Sequence, residues 1–301
     1  METNYYTTIS RMPLEIIKLI RVYQWPKNFF VFLPLFFSGK ILAFENFKKV
    51  LWVFLAFCLV ASAVYIINDL FDIKSDKKHP EKRFRPIASG AISIPYAIIL
   101  CGGLLSFSIT IALSQFNTLI LFFLLGYFLL NILYSLRLKK IAIVDLMVIA
   151  IGFILRVFVG GVSIDTALSK WLVLMTFLLA LFLGFAKRRD DLLILEEKGK
   201  AMRTSLNGYS LSFVNHSMVF ISSIIVVCYF MYSISEDVMQ RLGNEYFYIT
   251  SFFVITGMLR YFQITYVENN SGSPSKILLT DEFTIINLLL WGLSVSYFIY
   301  F

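Results

Sequence analysis

Residues 65–90 read YIINDLFDIKSDKKHPEKRFRPIASG, and the arrangement of charge in this stretch decides what kind of fold the chain adopts. Three aspartates, seven basic or imidazole side chains and two prolines follow directly on one of the most apolar runs of a chain that is 58% hydrophobic. Charge of that density beside hydrocarbon is costly unless something offsets it. Asn68, Asp72 and Asp76 are spaced i, i+4, i+8. In a helix such positions drift by only about 40° per step, so all three lie on one stripe over roughly 12 Å. Asp69 lies off that stripe. Mg²⁺ offsets such a cost well, because it takes oxygen ligands, uses one or two carboxylates and completes its shell with substrate phosphates and water. The amide oxygen of Asn68 suits the same ion. The alternative is a helix end solvated by its own lysines. Three rungs in register, next to an apolar segment and trailed by Lys77, Lys78, Lys82, Arg83 and Arg85, favour the site.

The rest of the chain supplies the membrane. Only 15% of the 301 residues are charged, 17% are aromatic and the mean hydropathy is +0.77, whereas a soluble domain carries about 25% charged residues. These values exclude an ordinary soluble core and indicate an all-α polytopic membrane protein. Nine segments are apolar and long enough to cross a bilayer: Phe29–Phe47, Leu51–Leu70, Ile94–Leu113, Thr118–Ser135, Val144–Ser163, Trp171–Ala186, Ser217–Ser235, Tyr246–Tyr266 and Phe283–Phe301. Cys58, Cys101 and Cys228 sit inside apolar runs at unrelated spacings and read as small buried hydrophobes. The amphipathic start, Met1 to Lys27, lacks a small-residue cleavage pattern, so no removable signal peptide is expected.

Loop charge gives the orientation. Twenty of the 27 Lys and Arg residues fall in the N-terminal arm and the even-numbered loops, and five in the odd-numbered loops. The positive-inside rule therefore puts the N-terminus and the charged loops in the cytoplasm of a cell inner or plasma membrane. The net charge of +8 is mostly this topology signal. It is split among short juxtamembrane loops, so nucleic acid is not an expected partner. The chain reads as one integral-membrane domain over residues 1–301, with 1–27 as an amphipathic cytoplasmic arm. Two long charged loops, Lys74–Ser93 and Lys187–Val214, place the chemistry on the cytoplasmic face. A homo-oligomer is compatible with the sequence, which specifies no symmetry.

The stretch NDLFDIKSDKKHPEKRFRPIASG resembles the first aspartate-rich motif of the UbiA-like intramembrane prenyltransferases, Asn-Asp-x-x-Asp-x-x-x-Asp followed by Arg-Pro-[ILV]-x-x-Gly. YSLRLKKIAIVD, residues 134–145, resembles that superfamily's element after the fourth helix. The resemblance covers essentially the whole chain and implies a bundle of nine transmembrane helices around a cytoplasm-facing active-site cavity. It also implies Mg²⁺ as cofactor.

One position departs from the ordinary member. Superfamily members that transfer a prenyl group carry a second Asp-x-x-x-Asp after the sixth segment, where this chain reads LGFAKRRDDLLILEEKG. Lys187 stands at the first acid and Asp191 at the second, with Arg188 and Arg189 between. Replacing a carboxylate by an ammonium removes a metal ligand and favours direct anion binding. A positive-inside anchor is the plainer reading of three such cations. However, IRVYQWPKNFFVFLPLFFSGK (20–40), HPEKRFRPIASG (79–90) and Lys187-Arg188-Arg189 all resemble the decaprenyl-phosphate phosphoribosyltransferase branch. That branch moves 5-phosphoribose from phosphoribosyl diphosphate (PRPP) to a polyprenyl phosphate and releases diphosphate.

The resemblance carries roles onto matching positions. Asn68, Asp72 and Asp76 are expected to hold Mg²⁺ and the donor diphosphate. Lys27, Lys82, Arg83 and Arg85 are expected at phosphates, as are Tyr134 and Lys139 of the second element. Lys187 and Asp191 are expected catalytic groups, with Arg188, Arg189 and Tyr209 binding substrate. Arg156, inside the fifth segment, is a substrate-binding candidate because a buried guanidinium needs an anionic partner. Asp145 is one candidate partner, and its escape to the interface is the plainer alternative. His79, followed by Pro80, reads as a turn residue. Membrane lipids are expected partners throughout.

Three functions fit this pattern. The first is phosphoribosyl transfer to a polyprenyl phosphate for cell-envelope glycan synthesis. The second is prenyl transfer from a prenyl diphosphate to an aromatic or other small acceptor, against which Lys187 counts. The third is a non-enzymatic transporter or lipid-binding scaffold, which would tolerate loss of Asp72.

Overall fold

The computed structural model describes residues 12–198, 204–268, 277 and 280–301. The first eleven residues of the expected N-terminal arm lie outside that set. The described secondary structure is helical throughout, and the chain divides into two compact units.

The first unit comprises residues up to Leu138 together with Leu155–Ala167. It opens with helix α1 (residues 12–20), a 3-10 segment Val22–Phe32 and a five-residue helix α2 (Leu33–Phe37). Helix α3 (Phe44–Asp76) follows, 33 residues long, with charge in its first turns (Glu45, Lys48, Lys49) and its last two, and apolar on every face between them. An all-round apolar helix is enclosed by protein or by lipid. Of its apolar window 67% is buried, against 28% for α4 (Ile94–Gln115) and 22% for α5 (Thr118–Leu136), so α3 is the axis around which this unit packs. Val53, Phe57, Val60 and Ala61 of α3 lie in one apolar cluster with Leu124 and Tyr127 of α5. The Ser108 hydroxyl of α4 donates to the Ala56 carbonyl of α3 at 2.9 Å. Helix starts follow local chemistry. Pro95 sits in the first turn of α4, where its missing N–H costs nothing. The Asn117 side chain caps α5 by accepting from the amides of Leu119 and Ile120, as N-cap residues do.

The second unit comprises Lys139–Ile154 and Leu168–Phe301. Helix α6 (Val144–Ser163) therefore contributes its first half to this unit and its second half to the other. Then come α7 (Lys170–Lys198), α8 (Leu211–Ser233), α9 (Glu236–Leu242), α10 (Ser251–Tyr266) and α11 (Glu282–Tyr300). Phe182, Val214, Met218, Tyr261 and Ile264 lie in its apolar core. Asn287 of α11 donates to the Phe253 carbonyl of α10 at 2.8 Å, and Thr256 donates back to its amide oxygen.

Among the described residues, seven helices are long and apolar enough to cross a membrane. They match seven of the nine expected segments. The other two are built differently. Phe29–Phe47 is a 3-10 segment, a short helix with Pro34 in its first turn, a turn at 38–43 with Gly39 at φ 73°, and the start of α3. Tyr246–Tyr266 begins as 3-10 (Glu245–Thr250) and leaves α10 only 16 residues. The segment expected at Trp171–Ala186 extends to Lys198. Lys187–Asp191 therefore lies on helix and not in a loop.

Candidate functional site

The last two turns of α3 gather the first cluster. Asp76 is the final residue of the helix and is 3% exposed. The Arg85 guanidinium donates through one nitrogen to Asp76 Oδ2 at 2.7 Å and to Asp69 Oδ1 at 3.0 Å. Arg21 donates to the same Asp69 oxygen, and its guanidinium lies 4.8 Å from the centre of the Tyr65 ring. Asp69 is thus gripped by two arginines, one from each side in sequence. Arg21 adopts φ 52° at the break between α1 and the 3-10 segment, an uncommon conformation for a non-glycine residue. Two more bonds tie this stretch to α3: Ser62 donates to the Ile20 carbonyl at 2.8 Å and Trp25 donates to Ser62 at 3.1 Å.

Asn68 and Asp72 are half-buried. The Asn68 amide oxygen accepts from the Ser135 hydroxyl of α5 at 3.2 Å, one residue beyond the half-buried Tyr134. His79 acts in the turn, as expected: its Nδ1 accepts from the amides of Glu81 and Lys82 at 3.1 and 3.2 Å. Burial, reinforced by the Lys82 charge, lowers its pKa. Lys82 is half-buried, and Lys27 and Arg83 are exposed, Arg83 lying over the Phe84 ring at 4.7 Å.

Arg156 is buried among aromatic rings, 4.7 Å from the Phe57 centroid and 5.0 Å from that of Tyr127. It donates to Asn28 Oδ1 at 2.8 Å and to the Tyr127 hydroxyl at 3.2 Å. Asn28 in turn donates to the Cys58 sulfur. Asp145, one candidate partner of Arg156, instead binds Arg188.

That pairing centres the second cluster. Asp145 is fully buried and Arg188 is 1% exposed. Arg188 Nε donates to Asp145 Oδ2 at 3.0 Å, and Nη2 lies 2.8 Å from the same oxygen but out of line for a hydrogen bond. The other edge of the guanidinium donates through Nη1 to Asp191 Oδ2 at 3.0 Å. Ser205 also donates to Asp145 Oδ2, at 3.1 Å. The Tyr209 hydroxyl donates to Asp145 Oδ1 at 2.7 Å and accepts from the Ile143 amide at 2.6 Å. Burial, reinforced by the bond to the Asp145 carboxylate, pushes the Tyr209 phenol well above its usual range. Tyr209 therefore remains a donor at any working pH. Arg189 turns elsewhere, donating to Asn215 of α8 at 3.0 Å and lying over the Tyr266 ring at 5.1 Å. Lys187 is exposed, and Lys139 is half-buried.

The donor set at the end of α3 fits a hard divalent cation. It is all oxygen, with two carboxylates and one amide at i, i+4, i+8, and Arg85 engages only Oδ2 of Asp76. Among the described residues no three His, Cys, Asp or Glu side chains form a metal cage of their own. Mg²⁺ uses one or two protein carboxylates when substrate phosphates and water complete its shell.

Sequence reasoning missed Arg21, Asn28, Ser135 and Ser205. Arg21, Asn28 and Ser135 lie inside stretches that carry the resemblance but were given no role there, and each of the four meets a partner 30 or more positions away. The signal for Arg21 was Asp69, an acid at the end of an apolar run that requires a cation, and Arg21 stands in the quoted stretch 20–40.

The model of the UbiA prenyltransferase family matches residues 31–285. The decaprenyl-phosphate phosphoribosyltransferase of Mycolicibacterium smegmatis is 32% identical over 297 residues, spanning 95% of this chain and 92% of that protein. The enzyme of the same name from Mycobacterium tuberculosis is 30% identical over 93% of each chain. A solved UbiA homologue from Archaeoglobus fulgidus, bound to GPP and Mg²⁺, superposes with a TM-score of 0.67 at 19% identity, covering 94% of this chain and 99% of that one. The fold is the same UbiA-like helical arrangement, and the chain is an integral membrane protein that belongs to the UbiA prenyltransferase family.

Proposed function

We propose that the protein transfers 5-phosphoribose from phosphoribosyl diphosphate to a polyprenyl phosphate, giving polyprenylphosphoryl-5-phosphoribose and diphosphate. The observation that carries the reading is Lys187 at the place of an acid, in a chain similar over 95% of its length to a decaprenyl-phosphate phosphoribosyltransferase. The whole chain, 1–301, acts as one transferase domain with nine crossings, and its lysine- and arginine-rich loops face the cytoplasm.

Asn68, Asp72 and Asp76 hold Mg²⁺ at the end of α3. When bound there, the ion neutralises charge building on the departing diphosphate. Arg85, with Lys82 and Lys27, places further positive charge beside that group. The acceptor phosphate is already anionic at neutral pH, so it attacks the anomeric carbon without a strong general base. One C–O bond forms to the lipid phosphate as the C–O bond to diphosphate breaks. An aromatic acceptor would instead need activation of a poor carbon nucleophile. Lys187 supplies charge for the additional phosphate of the substrates.

Purified protein incubated with Mg²⁺, a polyprenyl phosphate and radiolabelled phosphoribosyl diphosphate should move label into the organic phase. Asp72→Asn or Asp76→Asn should abolish transfer, and Lys187→Asp should weaken substrate binding without unfolding the protein. Label moving from a prenyl diphosphate to a small acceptor, with none from the ribosyl donor, would contradict the reading.

A further inference from the structure

Asp69 and Asp76 each carry a guanidinium. Arg85 Nη1 bridges them, donating to Asp69 Oδ1 at 3.0 Å and to Asp76 Oδ2 at 2.7 Å, and Arg21 donates to the same Asp69 oxygen. The side chains of the two acids are 2% and 4% exposed, against 25% for that of Arg85. Charges this far from water are weakly screened and act strongly on one another. Arg85 is thus a resident counter-cation on Asp76, one of the residues that the ladder offers to a divalent ion.

The first unit is built to keep both arginines there. Leu19 of α1 is fully buried in one apolar cluster with Ile66 of α3 and with Ile87 and Ile92 of the turn that follows Arg85. That turn closes on itself. The Ser89 amide donates to the Arg85 carbonyl at 2.9 Å, and the Ile92 amide to that of Pro86 at 3.0 Å. On the other side of Asp69, the Arg21 guanidinium lies over the Tyr65 ring, and its backbone holds φ 52° at the end of α1. Such a conformation persists where the surroundings over-determine it. Arg21 fixes the Asp69 carboxylate, and Asp69 fixes Arg85.

We propose that Arg21 and Asp69 are positioning residues that hold Arg85 on Asp76, so that the end of α3 takes a divalent ion only together with a diphosphate. The inference rests on the reading of Asn68, Asp72 and Asp76 as metal ligands, and not on which group is transferred. A divalent ion arriving alone at Asp76 meets the positive charge of Arg85 on the same carboxylate. A diphosphate brings the negative charge that Arg85 has offset, and adds ligand oxygens of its own. Arg85 engages Oδ2 and not Oδ1. Pairing with Arg85 therefore weakens Asp76 toward the bare ion without removing it as a ligand for the ion and diphosphate together.

Mn²⁺ binding to the purified full-length protein, followed by electron paramagnetic resonance, tests this without turnover. The ion is titrated alone and again with phosphoribosyl diphosphate, with no acceptor present. Wild type should bind Mn²⁺ about tenfold or more tightly with donor than without. Arg85→Gln should bind Mn²⁺ alone about tenfold more tightly than wild type does, because the competing cation is gone. The enhancement by donor should shrink accordingly. Arg21→Gln should shift donor-free binding the same way by about threefold, and should add nothing further in an Arg85→Gln background, since it acts through Arg85. Arg21→Lys, which keeps the charge on Asp69, should stay near wild type. Should Arg21→Gln not fold, Arg85→Gln decides alone. Three results would overturn the inference while leaving the ladder intact: equal wild-type binding with and without donor, donor-free binding in folded Arg85→Gln no tighter than in wild type, or an Arg21→Gln effect that persists in full without Arg85. Donor-dependent Mn²⁺ binding that survives Asp72→Asn would overturn the ladder reading as well.

Discussion

At the residue scale, Asp69 decides how the end of α3 is assembled. It lies off the Asn68–Asp72–Asp76 stripe and meets Arg21 and Arg85 instead. Removing one member of a buried ion pair leaves uncompensated charge, which costs about 3–5 kcal/mol. Asp69→Ala should therefore lower the thermal stability of the detergent-solubilised protein far more than Arg83→Ala, whose side chain is exposed. Asp69→Ala combined with Arg21→Ala should cost less than the sum of the two single changes, because both remove the same pair. The stripe itself was legible, since spacing fixes helical phase. The partners were not: Arg21 is 48 positions from Asp69, and Arg188 is 43 from Asp145. Helical periodicity says which residues share a face and nothing about what faces them. For the same reason Asp145 was expected either at the interface or, as one candidate, beside Arg156 three turns along α6, when it is fully buried and its partner lies on α7.

At the element scale, hydropathy located the helices and missed their interruptions. Val144–Ser163 was read with the bounds it has. Phe29–Phe47 was not one helix, because Pro34 and Gly39 break it, and a sliding apolar average does not register them. Two close approaches give sharp tests of helix packing. A Cβ on Gly160 of α6 would lie 2.0 Å from the Val31 carbonyl oxygen. Backbone cannot move aside as a side chain does, so Gly160→Ala should destabilise by about 1–3 kcal/mol or more. Gly102→Ala, in open space inside helix α4, should instead be neutral or stabilising by up to about 1 kcal/mol in the same melts. The start of α11 gives a pH-dependent test. Asp281 accepts from the Thr284 amide at 2.9 Å and pairs with Arg260 at 2.6 Å. The Arg260 hydrogen bond holds its carboxyl well below the usual carboxylate range. A folded-state pKa below the unfolded value of about 3.9 gives stability that is complete above that pH and is lost as pH falls toward the folded value. The melting temperature of wild type should therefore fall more steeply below about pH 4 than that of Asp281→Asn, which has no carboxyl to titrate. Parallel curves would remove this cap from the account.

At the scale of the whole molecule, the two units hold chemically different clusters. The unit containing α3 carries an oxygen-rich ladder held by arginines. The unit containing α7 carries a buried Asp145–Arg188–Asp191 chain. Composition alone announced a membrane protein, and the first motif announced the superfamily. Lys187 separated phosphoribosyl from prenyl transfer as readings, because a cation stands where the resemblance expects a metal-binding acid. The central claim is that Asn68, Asp72 and Asp76 hold a divalent ion together with the donor diphosphate. Substituting Mn²⁺ for Mg²⁺ and following its electron paramagnetic resonance during titration with phosphoribosyl diphosphate measures this directly. Wild type should show a bound-Mn²⁺ signal that strengthens with donor, Asp72→Asn and Asp76→Asn should lose it, and Lys187→Asp should retain the ion while binding donor more weakly. Donor-dependent Mn²⁺ binding that survives both aspartate substitutions would contradict the account.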